Sequence, residues 1–177
     1  MSYKGILILD FGSQFTQLIA RRIREMNVYC EIHPCTLPFQ EDWTFEGLVL
    51  SGGPASVLGD DAPPFDRQWL DHTKPVLGIC YGMQMLALDT GCSLGRGQHR
   101  EYGQSTLVVD GAHEFLTGVP ASSTAWMSHG DHVQEVSSIW KVLGRSESGV
   151  IAVISKQDPA TIPFSPYNLS QHARCKR

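Results

Sequence analysis

Short, unbroken apolar runs closed by small or polar residues set the rhythm of the N-terminal half of the chain. Gly5-Ile6-Leu7-Ile8-Leu9-Asp10 has no polar position before Asp10, which predicts a buried strand rather than a half-exposed one. Leu18, Ile19, Arg22, Ile23 and Met26 then keep helical spacing. Arg21, Arg22 and Arg24 lie toward the end of that helix, where its dipole favours cations. Residues 28–33 predict a second strand, so the opening is a strand-helix-strand unit of the kind that builds parallel sheets. The pattern repeats in Gly47-Leu48-Val49-Leu50, which runs into Ser51-Gly52-Gly53-Pro54. A helix is expected over 65–72, a strand over 76–79 and a further helix over 83–88.

After Gly91 the pattern changes. Residues 105–109, 123–127, 140–145 and 150–154 predict strands without long helices between them, which implies antiparallel additions to the parallel core. The loops between them are expected to carry His99, Glu101, His113, Ser128, His129, Gly130, Asp131 and His132. From about Asp158 the chain is punctuated by Pro159, Pro163 and Pro166 and ends polar and basic, so it predicts neither a core strand nor a closing helix. The expected organisation is one α/β domain over 1–159 and a divergent, poorly ordered tail over 160–177.

Length supports that division, since 177 residues suit one domain with a substantial core. Charged residues make up 18% of the chain, the formal charge is -4, and no run of like charges occurs, so no nucleic-acid-binding face is expected. The 5 cysteines form no repeating CxxC spacing, which signals neither a disulfide framework nor a zinc site. Without a signal segment or an apolar run of membrane-crossing length, the expectation is a soluble cytoplasmic protein with no membrane partner.

The most chemical stretch is Pro75-Val76-Leu77-Gly78-Ile79-Cys80-Tyr81-Gly82-Met83-Gln84. Cys80 falls at a strand-to-helix junction flanked by Gly78 and Gly82, the layout of a nucleophile elbow. A helix N-terminus would also lower the thiol pKa and favour the reactive thiolate. The bland alternative is a buried core cysteine, the common fate of a lone Cys. Three strands end in small-residue turns, at 10–13, 51–54 and 80–82, and ligands of open α/β sheets gather at such carboxyl ends. Backbone N–H groups of Tyr81 and Gly53 are candidates for a two-donor oxyanion pocket. Ser51-Gly52-Gly53-Pro54 is equally compatible with a plain tight turn.

Asp10-Phe11-Gly12-Ser13-Gln14, Leu50-Ser51-Gly52-Gly53-Pro54, Gly78-Ile79-Cys80-Tyr81-Gly82-Met83-Gln84 and Trp126-Met127-Ser128-His129-Gly130-Asp131 resemble, in order, the class I (triad-type) glutamine amidotransferase domain, specifically that of GMP synthases. The resemblance covers roughly residues 3–159. It implies a flavodoxin-like three-layer α/β fold with a mostly parallel central sheet and antiparallel additions. It also implies that Cys80 attacks the carboxamide of glutamine to form a γ-glutamyl thioester, with Gly53 and Tyr81 holding the oxyanion. Gly52, Gln84, Ser128, His129, Gly130 and Asp131 match positions that hold the substrate or wall it in. No cofactor is implied for this domain. ATP and magnesium belong to the implied partner, an ATP-pyrophosphatase domain or subunit that converts xanthosine monophosphate to GMP with the released ammonia.

The family closes with a strand reading Gly-Val-Gln-Phe-His-Pro-Glu, whose His is the base and whose Glu orients it. The matching stretch here is Ile162-Pro163-Phe164-Ser165-Pro166-Tyr167-Asn168-Leu169-Ser170, which has neither. His172 is near in sequence but lacks the following Pro-Glu. The closing strand and helix are therefore expected to be missing and turnover to be weakened, as in a truncated or frameshifted product. The alternative function is a glutamine-binding or synthetase-docking module without turnover, and a weaker one is a cysteine hydrolase acting on other amides.

Overall fold

The computed structural model describes residues 5–71 and 74–157, with the side chains of 97–102 and 128–129 excepted. The first apolar runs form a parallel sheet of β1 (Ile6–Asp10), β2 (Cys30–Pro34), β3 (Gly47–Leu50) and β4 (Val76–Gly78), in the order β2-β1-β3-β4. Both faces are covered, which explains why these strands show no polar alternation. Leu7, Leu9, Leu48 and Leu50 pack on one side with Phe11, Trp69 and Tyr81. Ile8 and Val49 point the other way, against Ala20 of α1 (Thr16–Glu25) and Cys30.

The helix α2 (Tyr81–Asp89) leaves β4 through Cys80 and is buried from Tyr81 to Ala87. It is apolar on all sides because it lies between two layers. Tyr81, Met85 and Leu86 join the core of the parallel sheet. Met83 and Ala87 meet Val133, Trp140, Ile151 and Ile154 of a second sheet. That sheet is antiparallel, in the order β6-β5-β7-β8, with β5 (Ser93–Val109), β6 (Ser122–Glu135), β7 (Trp140–Ser146) and β8 (Ile151–Lys156). Among the described residues, no helix is long and apolar enough to cross a membrane.

Three expectations are corrected. The helix expected over 65–72 is only a 3-10 turn, Arg67–Leu70. Pro63 and Pro64 precede it, and the Asp66 carboxylate accepts from the N–H groups of Gln68 and Phe39, which fixes a turn rather than a helix. Trp69 is thereby driven into the core, where its indole N–H donates to the Leu37 carbonyl at 2.8 Å. Next, β5 and β6 are far longer than 105–109 and 123–127, so His99, Glu101 and 128–132 belong to strands and not to loops. Their long mutual register, from Ser93 opposite Glu135 to Val108 opposite Ser122, supplies main-chain bonds that local sequence does not reveal. Last, the antiparallel strands form a sheet of their own instead of extending the parallel one. The expected boundary at 159, the tail 160–177, His172 and the missing closing strand and helix lie outside the described residues.

Candidate active site

The three small-residue turns meet. The Ile79 N–H donates to the Leu50 carbonyl at 2.9 Å, and the Gly82 N–H reaches the Ser51 carbonyl at 3.1 Å, so the turns after β3 and β4 are bonded to each other. Between them Cys80 adopts φ 52° and ψ -109°. A non-glycine residue with positive φ is held under about 1–3 kcal/mol of strain, and an exposed strained turn is what a nucleophile elbow requires. Gly78 and Gly82 are needed for close approach rather than for unusual dihedrals. A Cβ on Gly78 would lie 2.6 Å from the Met83 nitrogen, and one on Gly82 would collide with the Leu50 carbonyl.

Gly52 lies directly beside the nucleophile, since a Cβ built there would be 3.3 Å from the Cys80 Cβ. Gly53 is backed by the turn after β1, with the Phe11 carbonyl 2.5 Å from where its Cβ would sit. On the opposite side of the sulfur, the Tyr81 N–H donates to Cys80. Tyr81 is buried, with its ring 5.0 Å from that of Phe11. The structure therefore gathers Gly52, Gly53, Cys80 and Tyr81 as the spacing suggested.

The electrostatic expectation is reversed. Cys80 keeps partial access to solvent, yet dense surroundings push its thiol up to about 11, chiefly through burial. The Tyr81 N–H acts in the lowering direction and the Asp131 carboxylate in the raising one. Desolvation of a thiolate outweighs the helix-terminal field here.

Gln84 and Asp131 form the next layer. The Gln84 side-chain amide donates to the Asp131 carbonyl at 2.7 Å, tying α2 to β6. Asp131 is buried, and its carboxylate accepts from the Ser56 hydroxyl at 2.5 Å. Gly130 is half-buried, with open space where a Cβ would stand. Ser128 and His129 sit on β6 opposite Tyr102 and Glu101, and their side chains lie outside the described residues.

Ser56 carries no sequence signal, because its partner is 75 residues away and no local pattern links them. Ser56→Ala should lower stability by about 1.5 kcal/mol in denaturant unfolding, since a charge-assisted hydrogen bond is lost. Asp10 and Ser51 stand out in the sequence only as turn residues. Asp10-Phe11-Gly12-Ser13 does carry a signal, because an Asp two and three residues ahead of free N–H groups forms an Asx turn. Its carboxylate accepts from the Gly12 and Ser13 N–H groups at 2.9 and 3.2 Å.

Comparison with known proteins agrees with this geometry. The family model described as glutamine amidotransferase class-I matches residues 7–162. A GMP synthase [glutamine-hydrolyzing] of Saccharomyces cerevisiae is 48% identical over 148 residues, covering 82% of this chain and 28% of that protein. One of Symbiobacterium thermophilum is 47% identical over 152 residues, covering 84% of this chain and 30% of that protein. The chain thus spans less than a third of the length of these curated relatives. Among solved structures, a protein of Thermoplasma acidophilum described as a GMP synthase subunit superposes with TM-score 0.80 at 26% identity, covering 93% of this chain and 83% of that one. A glutamine amidotransferase of Thermotoga maritima shares the fold, with TM-score 0.69 at 21% identity, covering 93% of this chain and 75% of that one.

Proposed function

The chain belongs to the class-I glutamine amidotransferase family, and from that premise we propose that it hydrolyses glutamine at Cys80 and supplies ammonia to a synthetase of the GMP synthase type. The observation that carries this reading is the strained elbow. Cys80 at φ 52° abuts Gly52 and receives the Tyr81 N–H.

The deprotonated sulfur of Cys80 attacks the side-chain amide carbon of glutamine, and the carbonyl electron pair moves onto oxygen. The N–H groups of Gly53 and Tyr81 steady that oxyanion. Collapse of the tetrahedral intermediate breaks the carbon–nitrogen bond, the nitrogen takes up a proton, and ammonia leaves a γ-glutamyl thioester. Water then releases glutamate and returns the thiol. Gly52, Ser128, His129, Gly130 and Asp131 form the wall for the amino-acid end of the substrate, and Gln84 holds that wall through the Asp131 carbonyl.

The partner in this reading is an ATP-pyrophosphatase domain or subunit that binds ATP and magnesium and aminates xanthosine monophosphate. The names of the relatives support it, since two are whole GMP synthases and one is a separate GMP synthase subunit. A second reading, a glutamine-binding or docking module without turnover, is favoured by two observations. The thiol is pushed up to about 11, and residues 162–170 contain no His-Pro-Glu. Acid–base assistance from a positioned side chain is worth about 10² to 10⁴ in rate, so its loss would leave slow hydrolysis.

A chloroketone analogue of glutamine and ammonia assays test both readings. A single adduct on Cys80, found by mass spectrometry and suppressed by free glutamine, is the expected result. No adduct under native conditions would overturn the glutaminase reading. Ammonia release that appears on adding a purified ATP-pyrophosphatase protein would exclude a purely binding role.

A further inference from the structure

We propose that Asp10 is a positioning residue whose carboxylate, acting through Ser51, sets the direction of the Gly52 and Gly53 amides toward Cys80. The inference rests on the glutaminase reading, which supplies the reaction those amides would serve.

One carboxylate oxygen of Asp10 sits at the centre of a knot joining three separate elements. It accepts from the Gly12 and Ser13 N–H groups, from the Thr16 hydroxyl at 2.6 Å, and lies 3.2 Å from the Ser51 hydroxyl. Thr16 begins α1, while Ser51 begins the turn after β3. Holding the start of α1 would need only the first three contacts. The fourth reaches across to a fully buried side chain on another strand.

Ser51 carries the constraint onward. Its hydroxyl oxygen accepts the Phe11 N–H at 3.0 Å, so the two turns are bonded in both directions around one oxygen. The same hydroxyl is 2.8 Å from the Gly52 carbonyl, the group that begins the peptide plane bearing the Gly53 N–H. Its single proton can serve either Asp10 or Gly52, and the choice rotates that plane. From the other side, the Phe11 carbonyl presses on Gly53 and the Ser13 side chain lies 3.5 Å from where a Gly52 Cβ would stand. Gly52 in turn abuts Cys80. A continuous line of contacts therefore runs from Asp10 through Ser51 and Gly52 to the nucleophile. Orientation errors of about 1 Å at a reacting centre can cost about 100-fold in rate, so a buried clamp behind the oxyanion donors has a large effect for a small movement.

The test uses Ser51→Ala and Asp10→Asn in the full chain, with two probes of Cys80 and one of the backbone. A glutamine chloroketone needs its carbonyl oxygen seated between the donors, whereas iodoacetamide reacts by simple displacement and does not. Ser51→Ala should lower the ratio of chloroketone to iodoacetamide rates about tenfold or more, and Asp10→Asn by less, because an amide oxygen still accepts. Hydrogen exchange in the peptide over 50–56 should rise about fivefold while that over 76–84 changes less than about twofold. An unchanged ratio together with unchanged exchange overturns the proposal. So does a parallel fall in both rates with faster exchange throughout, which marks general loosening. Should the unsubstituted protein take iodoacetamide but not the chloroketone, the glutaminase reading fails separately, and the local exchange result alone decides the role of Asp10.

Discussion

Native-state alkylation of Cys80 by iodoacetamide should accelerate about tenfold per pH unit from pH 7 to about pH 10, and Cys80→Ala should remove it entirely. Only the thiolate reacts, and a thiol pushed up to about 11 is ionised in about one molecule in 10⁴ at pH 7. An ordinary cysteine would level off above about pH 9. The cause of the shift decides the outcome. Burial is the largest influence, and the Asp131 carboxylate adds to it, while only the Tyr81 N–H opposes them. Peptide mapping separates this site from Cys30, Cys35 and Cys92, which are buried. A plateau by pH 8 would mean that the helix-terminal field, not desolvation, controls the sulfur. The sign for stability follows the same cause. Folding favours the neutral thiol, so its contribution is intact below about pH 9 and is lost as pH rises toward 11, about 3 kcal/mol in all.

That thiol also marks where local sequence stops being informative. The elbow is legible because strand, glycines and helix are consecutive, and Cys80 indeed stands at positive φ between β4 and α2. The direction of its pKa is not, since burial is set by β6 and by the turn after β3, which are remote in sequence. The parallel strands are legible for the same local reason, as Leu7 and Ile8 are apolar on both faces of one sheet. In contrast, Ser128-His129-Gly130-Asp131 has loop composition and still lies in a strand, because pairing with β5 overrides propensity. The stretch 65–72 fails in the opposite direction. Its apolar spacing suggests a helix, but Asp66 commits its carboxylate to a turn and Trp69 fills the core between Phe39, Trp43 and Phe45. The Ser56 bond to Asp131 and the Asp10–Ser51 knot join residues of different strands and turns, and no periodicity encodes either.

Gly82→Ala should destabilise the fold by about 3 kcal/mol or more, although the substitution improves helix propensity. Gly82 lies in the first turn of α2, where alanine would ordinarily be favoured by at most about 1 kcal/mol. Opposing that gain, the added Cβ would collide with the Leu50 carbonyl and would lie 2.7 Å from the Leu50 Cβ, both on a fully buried residue of β3. Neither is the movable end of a flexible side chain, so α2 would have to back away from the sheet. That retreat would stretch the Gly82 N–H bond to the Ser51 carbonyl and the Ile79 N–H bond to the Leu50 carbonyl, the two links that hold the elbow against the oxyanion turn. Loss of stability and loss of Cys80 labelling by a glutamine chloroketone should therefore appear together. Gly130→Ala is the matched comparison, because nothing lies within 4 Å of its added Cβ. Its unfolding midpoint should stay close to that of the unsubstituted protein, and an equal loss in both variants would show that the packing of α2 on β3 does not limit this site.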